Sequence, residues 1–285
     1  MKFNADLSKA MKGDINAFHS LFNEFKPELK SFLYRLLTDR NLVDDFYHDT
    51  FIKAFDKIKT YQGKSNFKTW CFTIASNLSI DYLRKQKRWS IQNNDKSKTL
   101  AINTPSVGQA FINCNTTSPT GSFEIREHID FCFTCMSKTL EIEKQIAVIL
   151  KDIYHFEVKE IAIIMDYSSS NIKKLLLEGR KTLTTIFDKK CALVNKNGTC
   201  HQCSELNGFF NQSQNQQAEL MKIKMVKNLK KGNKEELYKM RTELVQAINP
   251  LNANGTDLHE IFMDVTRVAE KEIKKSSFFT INNYN

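Results

Sequence analysis

Four cysteines stand in two Cys-x-x-Cys pairs, Cys132 with Cys135 in DFCFTCM and Cys200 with Cys203 in CHQC. Four thiolates can close a tetrahedral zinc site, for which Cys191 and His201 are substitute ligands. The first pair lies in an apolar stretch of helical character, where free cysteine packs as a small hydrophobe. Structural zinc, buried thiols and redox sensing are therefore three open readings. A second chemistry is cationic and aromatic. Tyr61, Lys64, Ser65, Asn66, Phe67, Lys68 and Trp70 precede a basic helix end carrying Arg84, Lys85, Lys87 and Arg88. Cations release counterions from phosphates, aromatic faces stack on unpaired bases, and Ser or Asn can hydrogen-bond an extruded base, a combination suited to single-stranded DNA. The bland alternative puts Phe67 and Trp70 in the core and leaves the basic run in solvent. A third group, Ser168, Ser169, Ser170, Asn171, Lys173 and Lys174, with Arg180 and Lys181 beyond, opens a helix after a tight turn at Asp166 and Tyr167. Side chains at that end of a recognition helix reach base edges in the major groove. A packed helical hairpin would give the same pattern.

No Ser/His/Asp arrangement, phosphate-binding glycine loop or HExxH site is visible, so an enzyme is not expected. The chain has 285 residues, room for two or three domains of roughly 100 to 150 residues. Its 42 Lys and Arg against 32 acidic residues give a formal charge of +10, which favours a polyanionic partner, nucleic acid before membrane. The first residues, MKFNADLSKAMKGDINAF, lack a signal-peptide pattern, and no apolar run approaches the roughly 20 residues of a membrane span. The expected location is cytoplasmic, with no membrane partner. Seven cysteines, an odd number, argue against a secreted disulfide scaffold. Four prolines and nine glycines leave long helices and little sheet as the expectation.

The elements that must position these groups follow from apolar spacing. Phe18, Leu21, Phe22, Phe25, Leu29, Phe32, Leu33 and Leu36 recur at three and four, with Pro27 opening a second segment. Val43, Phe46, Thr50, Phe51, Ala54, Phe55 and Ile58 form another stripe, with Asn41 and Asp44 placed to cap it and Asp44, Asp45 and Asp49 on or near its exposed side. A third stripe runs from Phe67 to Tyr82. Residues 93–122 lose the periodicity and collect Asn, Thr, Ser, Pro and Gly, the composition of a linker. Helical pattern resumes near Glu124 and continues through Ile153. Short helices over Val158–Met165 and Ser169–Phe187 flank the Asp166 corner in helix-turn-helix spacing. Beyond Cys191 an Asn- and Gln-rich stretch leads to helical patterns over 214–229, 234–248 and 256–274.

DDFYHDTFIKAF (Asp44 to Phe55), the loop with Gly63 and Ser65, and FKTWCFTIASNLSIDYLRKQKR (Phe67 to Arg88) resemble region 2 of extracytoplasmic-function sigma factors of the sigma-70 family. The stretch LEIEKQIAVILKDIYHFEVKEIAIIMDYSSSNIKKLLLEGRKTL resembles region 4. The resemblance implies an all-α protein: residues 1–92 as the region 2 helical bundle, 93–123 as a flexible linker, 124–190 as the region 4 helix-turn-helix, and 191–285 as a cysteine-containing helical extension. It implies that the chain binds core RNA polymerase and directs promoter recognition and melting, Asp45, His48 and Asp49 meeting the clamp helices of the beta-prime subunit. His48 stands where the family usually has Gln. Tyr61 to Asn66 would capture a flipped base of the -10 element, with Lys68, Asn77, Arg84, Lys85, Lys87 and Arg88 on promoter DNA beside it. Ser168, Ser169, Ser170, Asn171, Lys173, Lys174, Arg180 and Lys181 would meet the -35 element. Opening DNA this way requires no cofactor in the factor itself, and an anti-sigma factor is a further partner the resemblance admits.

This chain departs from the pattern at Leu175, Leu177 and Glu178, where relatives often carry basic or polar groups; fewer cations should weaken -35 binding and flatten its salt dependence. The stripe Leu220, Ile223, Val226 and Leu229 needs a packing partner, either the other tail helices or a sigma unit that the tail would mask. Two further readings stay in play, a helix-turn-helix regulator that never joins polymerase and a thiol or zinc enzyme on helical domains.

Overall fold

The computed structural model describes residues 5–193, 197–211 and 234–275. Among them the regular elements are helices, in line with the all-α expectation, and the one extended pairing is an isolated bridge between Cys191 and Cys200. The helices are α1 (Ala5–Met11), α2 (Ile15–Asn23), α3 (Lys26–Leu37), α4 (Arg40–Lys57), α5 (Phe67–Leu83), α6 (Asn93–Ile102), α7 (Pro105–Thr117), α8 (Ile125–Ser137), α9 (Ile142–Asp152), α10 (Val158–Met165), α11 (Ser169–Lys190), α12 (Gln202–Phe210), α13 (Lys234–Gln246) and α14 (Thr256–Ala269). Two compact units form, Met1–Gln86 with Ile142–Leu177, and Lys87–Glu141 with Glu178–Asn285.

In the first unit, local signals set the helix ends. Asp14 accepts from the amides of Asn16 and Ala17 and caps α2. Pro27 sits in the first turn of α3, where its missing N–H costs nothing. The cap of α4 is Asp39 rather than Asn41 or Asp44. Thr38 turns left-handed at φ 58°, which leaves Asp39 extended with its carboxylate on the amides of Asn41 and Leu42. The apolar faces of α2 to α5 then share one aromatic core: Phe18 meets Phe51, Phe55 and Phe67 edge-on at 5.1, 5.2 and 5.6 Å. Phe72 continues it to Phe32 at 5.2 Å and Phe156 at 4.9 Å. A polar seam joins α3 to α9. Arg35, 1% exposed, and Ser31 both bond the Tyr154 hydroxyl at 2.8 Å, and Gln145 donates to the Arg35 carbonyl. Along the other side, α10 packs against α5.

The second unit contains most of what lacks a clear sequence pattern. Residues 93–123 carry α6 and α7 rather than an irregular, flexible linker. Val107, Phe111 and Cys114 are buried at helical spacing on α7, inside a core that includes Phe123, Ile129, Leu258, Ile261 and Val265. On α6 the attachment is largely polar: buried Asn93 donates to the Cys135 carbonyl and Ser97 to Thr266. Such contacts override the low helix propensity of Asn, Ser and Thr and leave no apolar period to read. The Asn- and Gln-rich stretch likewise carries α12. Helices α13 and α14 match the expected 234–248 and 256–274 within a few residues; the pattern at 214–229, with Leu220, Ile223, Val226 and Leu229, lies outside the described residues. Helix α14 packs on α6, α7 and α8, and α12 and α13 both pack on α8. A buried ion cluster closes the unit: Glu272 takes Lys138 at 3.0 Å, the Trp89 indole at 2.6 Å and Arg267 at 3.4 Å.

Candidate nucleic-acid interface

Helix α4 buries Val43, Thr50 and Ala54 and turns the opposite side outward. Asp45, His48 and Asp49, at helical spacing, are all exposed, while neighbouring Asp44 pairs with Lys30. The first unit thus offers an acidic face whose side chains are not needed for packing.

Between α4 and α5 the loop is held from within. Tyr61, expected on DNA, is buried; its hydroxyl donates to the Ser65 carbonyl at 2.5 Å and its ring lies 5.3 Å from that of Trp70. Burial pushes its phenol pKa up, and Cys71 adds to the effect. Its place is that of a strut shaping the loop, because the aromatic cluster takes the ring out of solvent. Gly63 supplies the left-handed corner at φ 67°. Lys64 and Asn66 are exposed and Ser65 half-buried. Asn66 caps α5 through Oδ1, accepting from the Thr69 amide at 2.7 Å, while its Nδ2 donates to Glu160 Oε1 at 2.9 Å. The Thr69 hydroxyl donates to the same oxygen at 3.0 Å. Lys68 pairs with Glu28 at 2.6 Å. A carboxylate from α10 therefore occupies Asn66, one of the groups expected to read a flipped base, together with Thr69. Sequence reasoning missed Glu160, although the Glu157-x-x-Glu160 spacing of its capping box was legible: Glu160 Oε2 accepts from the Glu157 amide at 2.9 Å.

Further along α5, Asn77 is exposed, as are Arg84 and Lys85 beyond its end, Arg84 standing 3.6 Å from Glu143. Lys87 and Arg88 belong to the second unit, where Lys87 is exposed and Arg88 is half-buried, its Nε donating to the Leu140 carbonyl at 2.6 Å.

The helix-turn-helix forms as expected. Helix α10 ends at Asp166, left-handed at φ 54°, and the Tyr167 amide returns to the Ala162 carbonyl. Ser168 accepts from the Asn171 amide and so caps α11. Ile172, Leu176, Gly179 and Leu183 face inward, which leaves Ser168, Ser169, Ser170, Asn171, Lys173 and Lys174 exposed along one stretch. Leu177 is 70% exposed. Further along the helix, in the second unit, Lys181 is exposed and Arg180 half-buried.

The cysteines divide differently from their spacing. All seven are free thiols. Cys135 is fully buried on α8, whereas Cys132, Cys191, Cys200 and Cys203 are half-buried. Among the described residues no three His, Cys, Asp or Glu side chains stand together in a metal-holding arrangement. Nor is any described helix long and apolar enough to cross a membrane.

Comparison with known proteins places these features. Residues 21–88 match Sigma-70 region 2. Over 169 residues, 59% of this chain and 94% of the relative, the chain is 27% identical to the ECF RNA polymerase sigma factor SigM of Bacillus subtilis. SigX of the same organism is 24% identical over 58% of this chain and 81% of its own length. The ECF RNA polymerase sigma-E factor of Salmonella typhimurium is 25% identical over 62% of this chain and 90% of its own. The acidic α4, the capped loop and α5 thus lie within a Sigma-70 region 2, and the chain belongs to the extracytoplasmic-function group of the sigma-70 family.

Proposed function

We propose that this sigma factor acts by binding rather than catalysis: it docks on core RNA polymerase through α4, opens promoter DNA at the -10 element with the 61–66 loop and α5, and reads the -35 element with the start of α11. The observation that carries this reading is the exposed trio Asp45, His48 and Asp49 on α4, one loop away from Lys64, Asn66 and the basic side of α5. A helix-turn-helix regulator working without polymerase would need neither. The natural target of the trio is the clamp helices of the beta-prime subunit, since exposed acidic side chains can meet basic side chains there. Asn66, Lys64, Asn77, Arg84 and Lys85 supply hydrogen bonds and phosphate contacts to an opened strand. On α11, Ser168 to Asn171 face base edges and Lys173, Lys174 and Lys181 the phosphates. Binding DNA at the loop requires Asn66 and Thr69 to leave Glu160, so DNA engagement and release of α10 from α5 are linked.

The test is transcription from promoter DNA by core polymerase with and without the purified chain. The expected result is specific initiation only when the chain is added. A chain that fails to bind core would defeat the proposal.

A further inference from the structure

We propose that Cys132, Cys191, Cys200 and Cys203 bind one zinc ion in the second unit, with Arg241 offsetting the charge of the tetrathiolate. The four arrive from separate places: Cys132 on α8, Cys191 just past α11, Cys200 on the returning segment, and Cys203 in the first turn of α12. Chain geometry brings them into one neighbourhood. The bridge sets Cys191 beside Cys200, with the Ala192 amide on the Cys200 carbonyl at 3.1 Å and the Cys200 amide on the Lys190 carbonyl at 2.7 Å. Packing of α12 and α13 on α8 then carries Cys203 and Arg241 toward Cys132. Cys191 and Cys203 both pack against one core, which includes Ile129 of α8, on the helix that carries Cys132.

Arg241 is the independent pointer to a ligand. It is 3% exposed, its one hydrogen-bond partner among the described residues is Cys191 Sγ at 3.2 Å, and its guanidinium lies 4.0 Å from the Phe187 ring. A buried guanidinium normally meets a carboxylate, and neither neutral thiols nor a disulfide supplies the missing negative charge. Zinc does so indirectly: four thiols and Zn²⁺ give a Zn(Cys)₄ centre of charge −2 and release four protons to solvent. An N–H···S bond from Arg241 then holds the Cys191 thiolate, the outer support such sites use. The sulfurs are not drawn to a common point in the structure as it stands, so binding entails inward rotation of their side chains. The ligand set differs from the two Cys-x-x-Cys pairs because Cys135 is wholly buried on α8, whereas Cys191, which the spacing leaves out, stands on the bridge beside Cys200.

The experiment measures metal content of the full chain purified without chelator, then cobalt(II) reconstitution followed by visible absorption. Expected are about one zinc per chain, the intense bands of tetrahedral cobalt thiolate, and retention of both in Cys135→Ala. Arg241→Gln should weaken metal affinity about tenfold, as loss of outer-shell support does. Cys191→His should keep the metal with a weaker sulfur-to-cobalt band, a change that a merely structural cysteine would not produce. The proposal is overturned by wild-type protein that neither retains zinc nor gives the cobalt spectrum, by loss of metal in Cys135→Ala, or by an unchanged spectrum in Cys191→His.

Discussion

Replacing Glu160 by Gln should make the -10 loop easier to engage. Glu160 Oε1 accepts from both Asn66 and Thr69, at 2.9 and 3.0 Å. Hydrogen bonds to a charged acceptor contribute about 1.5–3 kcal/mol against about 0.5–1.5 for neutral pairs, so neutralising the carboxylate weakens each by about 1 kcal/mol. Water competes for exposed Asn66, which trims the total to about 1.5 kcal/mol, or about tenfold in the fraction of loops free to bind. Gln has a single acceptor oxygen; placed on the Glu157 amide it keeps the start of α10 and turns its NH2 toward Asn66 and Thr69, so about tenfold is the least expected. The assay is fluorescence anisotropy of labelled single-stranded DNA with the isolated chain. Glu157→Gln is the control for lost charge and for disturbance of the capping box together: its side chain accepts from the Glu160 amide at the same helix end, with Lys151 at 3.5 Å. The expected result is at least about tenfold tighter binding for Glu160→Gln and a much smaller gain for Glu157→Gln. Equal gains in the two variants, or none in Glu160→Gln at unchanged melting temperature, would refute the reasoning.

The second unit should be acid-sensitive. Burial lowers His128 to about 3, with His259 adding to the effect, and burial lowers His259 to about 4. The unfolded chain takes up both protons near pH 6.5, so this stability is intact above that value and is lost as pH falls. Urea titration at pH 7 and pH 5 should differ by about 4 kcal/mol, about 2 for each histidine, and equal midpoints would contradict it. Asp45→Ala with Asp49→Ala should cut affinity for core polymerase at least about tenfold without moving the melting temperature, since both side chains are exposed. Undiminished binding in a pull-down would remove α4 from the interface. Lys173→Ala and Lys174→Ala should each lower the salt slope of duplex binding by about one, and Leu177→Lys should raise it by about one. Slopes that do not move would place that face of α11 away from phosphate.

What could be read in advance follows from whether a side chain's partner is near in sequence. The helix-turn-helix was legible because its parts are local: the Asp166 corner and the inward spacing of Ile172, Leu176 and Leu183. The α4 cap was misplaced by a few residues because Thr38, a β-branched residue, adopts a left-handed backbone that propensity disfavours. Helix α6 escaped notice since the contacts that order it, Asn93 with Cys135 and Ser97 with Thr266, lie far away in the chain, and α7 since its short stripe of Val107, Phe111 and Cys114 stands among Asn, Thr, Gly and Pro.

By itself the sequence determined the all-helical class, the acidic face of α4, the basic end of α5 and the two helices of the helix-turn-helix, since helical period and local capping follow from neighbours three or four residues apart. Tertiary structure decided which of those groups are already engaged. It placed Glu160 on Asn66, took Tyr61 out of solvent, and set Cys191 beside Cys200. Burial and long-range pairing depend on how helices pack, and side chains far apart in the chain set those contacts.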